Sequence, residues 1–188
     1  IHRVAGHVMD FLRKSYKYFG PNSTYDPGFK ETKTPFKEQH DYSMAFVERG
    51  LEFLREGGVL SYVITSKIAR ATYAGALRED LVTNYKILEI RDYSLHPIPL
   101  FQGVASYPLI LSVKKERPGE GHKVRVTVAN TAGGKRSFEV PQGELPLDGA
   151  ERKSPWLLAP QNVVNAYRKI ARGTPRLGDV YRIVRGVE

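Results

Sequence analysis

The sequence predicts an α/β fold, and three observations carry that prediction. Residues 41–115 run through helical, strand, helical, strand and strand periodicity in turn. Gly57-Gly58 and the proline-rich stretch Pro97-Ile98-Pro99 punctuate that order at element boundaries. The hydrophobic fraction is 41% over 188 residues, which suits one cored domain, or one with a small appendage, and excludes general disorder.

Each element has a local reason. Residues 1–19 read as an amphipathic helix with Val4, Val8, Phe11 or Leu12, and Phe19 on one face, stopped by Gly20-Pro21. Residues 20–40 contain Pro21, Pro27, Gly28 and Pro35 and read as a long loop, a length that in a compact domain marks function or disorder. Asp41 is placed to cap a second helix. Its apolar stripe is Met44, Val47, Leu51 and Leu54, widened by Tyr42, Phe46 and Phe53, and Gly57-Gly58 supplies a left-handed stop. Residues 59–65 form a short apolar run and read as a buried strand. Thr65 or Ser66 caps a third helix that turns Ile68, Leu77 and Leu81 inward.

Residues 86–92 alternate as a second strand, with Ile87, Leu88 and Ile90 as its apolar members. The loop 93–103 leads to a third strand at 104–114. No helix separates these two strands, so the third is expected to pair antiparallel with the second at the sheet's edge. Val124, Val126 and Val128 alternate within 122–129, Gly133-Gly134 turns the chain, and 136–140 returns, which predicts a β-hairpin. Residues 141–160 hold four prolines and read as irregular. Residues 161–172 read as a helix closed by Gly173.

Composition narrows the function classes. The chain has no cysteine, which excludes disulfides, thiolate metal sites and a cysteine nucleophile, and fits a reducing cytosol. The histidines at 2, 7, 40, 96 and 122 show no ligand spacing, so no metal is expected. No window reaches the length of a membrane span, and the first residues do not form a signal peptide. Position 1 is not Met, so the chain is expected to be a fragment or a processed product. The net charge is +9, which suits a polyanion partner, nucleic acid first. From 151 to 188, eight Arg or Lys face three acids, leaving +5 in the last fifth of the chain.

Several segments carry a more specific resemblance. Leu51-Glu52-Phe53-Leu54-Arg55-Glu56-Gly57-Gly58-Val59-Leu60-Ser61-Tyr62-Val63-Ile64-Thr65 is followed by Leu77-Arg78-Glu79-Asp80-Leu81, then by Leu100-Phe101 and an apolar strand. Thr174-Pro175-Arg176-Leu177-Gly178-Asp179-Val180-Tyr181 closes the series. In this order they resemble adenine-N6 DNA methyltransferases of the TaqI-like and Eco57I-like (type IIG restriction) groups, from just after the Asn-Pro-Pro-Tyr motif into the target-recognition domain. The resemblance implies the C-terminal half of a Rossmann-like methyltransferase sheet with an antiparallel edge strand, plus a small β-hairpin and linker region. It divides the chain into 1–117 as the catalytic half-domain, 118–160 as hairpin and linker, and 161–188 as a helix and the start of target recognition.

The same resemblance implies that Phe101 stacks on a flipped adenine, because chemistry on a base requires its removal from the helix. Residue context alone favours a packed Phe at that position. Phe46 is a second candidate, as a wall of the S-adenosylmethionine pocket, and reads equally as a core residue of its helix. Asp41 and Tyr42 are candidates to border that pocket, with Asp41 also explained as a cap. Asn-Pro-Pro-Tyr is absent, as is a donor-binding Gly-x-Gly after an N-terminal strand, so no catalytic residue is expected in this chain. The resemblance further implies a cytoplasmic, prokaryotic enzyme part that acts on double-stranded DNA together with the remaining parts of the same methyltransferase or restriction enzyme. The alternative is a non-catalytic, basic nucleic-acid-binding module.

Overall fold

The computed structural model describes residues 6–19, 41–98, 101, 107–148, 151–175 and 180–181. The predicted loop 20–40 lies outside them, as do residues 1–5 and most of the segment 174–188. Five helices and five strands are seen among the described residues: α1 (Gly6–Ser15), α2 (Ser43–Phe53), β1 (Val59–Thr65), α3 (Lys67–Arg70), α4 (Gly75–Asn84), β2 (Lys86–Asp92), β3 (Pro108–Lys114), β4 (Lys123–Ala129), β5 (Lys135–Pro141) and α5 (Gln161–Gly173).

The helices follow the expected stripes with four local departures. α1 stops at Ser15, and a 3-10 turn over Lys17–Phe19 carries Tyr18 and Phe19 into the core. α2 buries Met44, Val47 and Leu51, but Phe46 and Phe53 point into solvent instead of widening the apolar face. It also ends before the glycines. Gly57 (φ +75°) instead makes the turn into β1, where its N–H donates to the Lys115 carbonyl (2.8 Å). The predicted third helix is broken into α3 and α4 by a short 3-10 turn, Thr72–Ala74, and Ile68, Leu77 and Leu81 are fully buried as expected.

The five strands form one mixed sheet in the order β1-β3-β2-β4-β5. β3 runs antiparallel to both β1 and β2, β4 runs parallel to β2, and β5 closes a hairpin with β4. The expected antiparallel pairing of β3 is found, but the expected place at the sheet's edge is not. β3 sits between β1 and β2, with Leu109, Leu111 and Val113 buried. An edge position leaves one row of backbone N–H and C=O groups without strand partners, whereas this position satisfies both rows of the most apolar strand. The hairpin does not stand apart, because β4 extends the same sheet.

A β-bulge between Ile87 and Glu89 puts Ile87 and Ile90 on the same face of β2, where both are fully buried. α2 packs on this face beside β1, so closely that a Cβ on Gly50 would meet the Tyr62 hydroxyl at 2.8 Å. On the opposite face of β1, Val59, Ser61 and Val63 are exposed, so the strand expected to be buried is covered on one side only.

Candidate functional site

β1 and β2 are both antiparallel to β3 and therefore parallel to each other, so their carboxyl ends share one rim. In open α/β sheets that rim is where ligands bind. Here it holds a cleft of about 850 Å3. The start of α2 supplies Asp41, Tyr42, Ser43 and Phe46, and the end of β1 supplies Ile64 and Thr65. Tyr107 and Pro108 come from the start of β3, and Phe101 from the loop between β2 and β3.

The structure thus brings Phe46 and Phe101 to one cleft. Phe46 is 70% exposed because the stripe Met44, Val47, Leu51 turns to the core and leaves position 46 facing away. Phe101 is 47% exposed, with its ring lining the same cleft. Asp41 anchors the first turn of α2, with its Oδ1 accepting the Ser43 N–H at 2.9 Å. Tyr42 stacks on the buried Phe19 ring at 6.2 Å. Burial, and then the negative charge of Asp41, push the Tyr73 hydroxyl well above its ordinary pKa, so it stays protonated. Thr65 Oγ1 accepts the Lys67 N–H at 3.3 Å, so this hydroxyl serves the turn after β1.

The loop that leads to Phe101 is pinned at its root. The Asp92 carboxylate, 5% exposed, takes Arg70 at 3.0 Å and the Ser94 N–H at 2.9 Å. The Tyr93 N–H donates to the Pro108 carbonyl at 3.0 Å, and the Ser66 N–H donates to the Tyr107 carbonyl at 2.7 Å. These bonds hold the exits of β1 and β2 and the start of β3 together. Tyr62, Lys67 and Tyr107 also line the cleft and were missed from sequence. For Tyr62 a signal existed, since strand alternation places it on the same side as Leu60 and Ile64.

Among the described residues, no three His, Asp or Glu side chains gather as a metal site requires. No helix there is long and apolar enough to cross a membrane.

Comparison with known proteins adds a family likeness. Residues 16–98 match the model of the Eco57I restriction-modification methylase family. The likeness read from 51–65 and 77–81 falls inside this match and is borne out; Phe101 and 174–188 fall beyond it. The Type II methyltransferase M.BstVI of Geobacillus stearothermophilus is 29% identical over 87 residues, which are 46% of this chain and 15% of that protein. Among solved structures, the type I restriction enzyme EcoKI M protein superposes with a TM-score of 0.40 at 17% identity, over 47% of this chain and 19% of that one. The type IIG restriction endonuclease BpuSI gives 0.41 at 14% identity, over 59% and 15%. A nuclease-deletion mutant of the Type ISP enzyme LlaGI, solved with a DNA substrate mimic, gives 0.42 at 14% identity, over 76% and 15%. The chain therefore spans about 15% of the length of its curated relative.

Proposed function

We propose that this chain is part of a site-specific adenine-N6 DNA methyltransferase of a restriction-modification or phage-defence system. The observation that supports this reading is the joint exposure of Phe46 and Phe101 on one cleft at the carboxyl rim of the sheet. S-adenosylmethionine supplies the methyl group when bound. An exposed phenyl ring on the first turns of α2 fits one wall of an adenosyl pocket, because a flat purine covers the surface that Phe46 leaves to water. The residues present fit that wall and no more, since the sequence contains no glycine-rich donor loop.

Phe101 receives the flipped adenine. Stacking of a base on an aromatic ring contributes about 1–3 kcal/mol. The carboxamide of an Asn-Pro-Pro-Tyr motif, which would hold the N6 amino group, must come from outside this chain. The 188 residues alone are therefore inactive, and β1, the outermost strand at one end of the sheet, receives the remaining part of the sheet along its edge.

Labelled methyl transfer from S-adenosylmethionine to unmethylated DNA tests this reading, with the full-length wild-type protein beside Phe101→Ala. Label on adenine N6, lost in a variant that still melts cooperatively, is the expected result. The second reading, a plain nucleic-acid binder, draws on the +9 charge. It would be favoured by DNA binding with no transfer and no effect of Phe101→Ala.

A further inference from the structure

The β4–β5 hairpin carries no family motif, yet the sheet delivers its tip to the rim that holds the cleft. β4 runs parallel to β2, and β2 parallel to β1, so Ala129 ends on the same side as Asp92 and Thr65. The register makes this concrete. Ile64 pairs with Leu109, Leu109 with Asp92, Asp92 with Val128, and Val128 with Arg136. One row of the sheet thus runs from the cleft to the hairpin tip across four strand spacings, roughly 19 Å.

The tip is also docked against the loop that leads to Phe101. Lys135 places its ammonium 5.2 Å from the centre of the Tyr93 ring. A Cβ on Gly133 (φ +82°) would stand 3.7 Å from the Pro97 ring. The Asn130 side chain ties the turn internally, with its Oδ1 accepting the N–H groups of Ala132 (3.0 Å) and Gly134 (2.9 Å). The tip is therefore a shaped feature.

Its charges are free to act outward. Lys135 and Arg136 are exposed, and neither has a carboxylate partner among the described residues. Arg70, Lys86, Arg91 and Lys114 are each paired with a carboxylate, whereas Lys123 and Arg125 on β4 are exposed like the tip residues, so Lys135 and Arg136 are set apart by their place on the cleft rim. An ammonium resting on an aromatic ring keeps N–H donors for an anion on its other side.

We propose that Lys135 and Arg136 bind the sugar–phosphate backbone of the DNA whose flipped base faces Phe101. This rests on the methyltransferase reading above and extends it to a second contact. The tip lies on the same rim as the cleft and several strand spacings along it, so the contact falls on the backbone flanking the target base and not on that base. Such contacts set the register of the protein on the duplex and do not read sequence.

The test is the salt dependence of duplex binding by the full-length protein, followed by fluorescence anisotropy on DNA of arbitrary sequence. Each phosphate contact contributes about −0.9 to the slope of log affinity against log salt. Lys135→Gln and Arg136→Gln are each expected to flatten that slope by about one, and the double variant by about two, with unchanged thermal melts. Lys135→Arg, which keeps the charge, should keep the slope. A double variant with the wild-type slope, from a wild type that binds DNA, overturns this inference and leaves the methyltransferase reading standing. A wild type that binds no duplex at all overturns both.

Discussion

At the scale of single residues, the polar groups in the interior explain most of what composition and periodicity could not. Glu48 is buried because its carboxylate accepts the N–H groups of Lys17 (2.7 Å) and Tyr18 (2.9 Å), which closes the 3-10 turn against α2. The Tyr18 hydroxyl in turn donates to Asp80 on α4. Burial pushes the Asp80 carboxyl up, but the hydrogen bonds from Tyr18, Asn84 and Lys17 outweigh it and leave its pKa below the ordinary range. A carboxyl depressed in the folded state stabilises the fold above its unfolded pKa of about 3.9 and loses that contribution as pH falls through the folded value. Urea unfolding midpoints should therefore drop on acidification below about pH 4 more steeply for wild type than for Asp80→Asn. Superimposable curves would remove Asp80 from the account. Tyr18 is the reverse case: burial first, then Asp80, raises its hydroxyl, so its contribution is complete below its unfolded pKa and fades only in strong alkali. Apart from the i,i+4 bond of Asn84 to Asp80, none of this was legible in the sequence, because the partners lie some 30 to 60 residues away. Phe46 shows the same limit. Helical spacing put it on the apolar side of α2, and only the tertiary packing of Met44 and Val47 decides that it faces the cleft.

At the scale of elements, periodicity located the strands and helices, and long-range polar bonds decided how they join. β1 has the predicted bounds, and β2, β4 and β5 lie within a residue or so of theirs, because alternation and turn glycines are local signals. The interior place of β3 is not a local signal. It follows from the loop between β2 and β3, which lets the chain return beside β1. α4 is held by two side chains that look ordinary in sequence. Gln142 reaches from the end of β5, with its Nε2 donating to the Val82 (2.9 Å) and Tyr85 (2.8 Å) carbonyls and its Oε1 accepting the Ile87 N–H (2.9 Å). It closes the carboxyl end of α4, where no glycine does so. Arg78 is fully buried and donates to the carbonyls of Ile68 (3.0 Å), Ala71 (2.7 Å), Lys153 (2.6 Å) and Ser154 (3.0 Å). The guanidinium thus staples α3, α4 and the segment before α5 to one another. Lysine offers three donors at one point and cannot span these acceptors. Both Arg78→Ala and Arg78→Lys should cost at least about 3 kcal/mol in chemical denaturation, since they strip charged hydrogen bonds from buried carbonyls. A lysine variant of wild-type stability would show that the fork geometry is not what matters.

At the scale of the whole molecule, the proposed methyltransferase reading makes this chain one side of a reaction site. Its cleft has aromatic walls, a pinned loop and a rim that gathers three parallel strand ends. Asp41 is the one carboxylate among the described residues that line it, and its Oδ1 already accepts the Ser43 N–H. Methyl transfer requires donor and acceptor in line at near-contact distance, and one wall cannot impose that geometry. The open face of β1 carries the same message in packing terms, because Val59 and Val63 are β-branched strand residues left in water. The isolated 188 residues, incubated with labelled S-adenosylmethionine and unmethylated DNA, are therefore expected to transfer no label above background, while the full-length protein does. Transfer by the isolated chain would mean that its own side chains complete the site, and Asp41, the carboxylate already lining the cleft beside Phe46, would then be the group to substitute first.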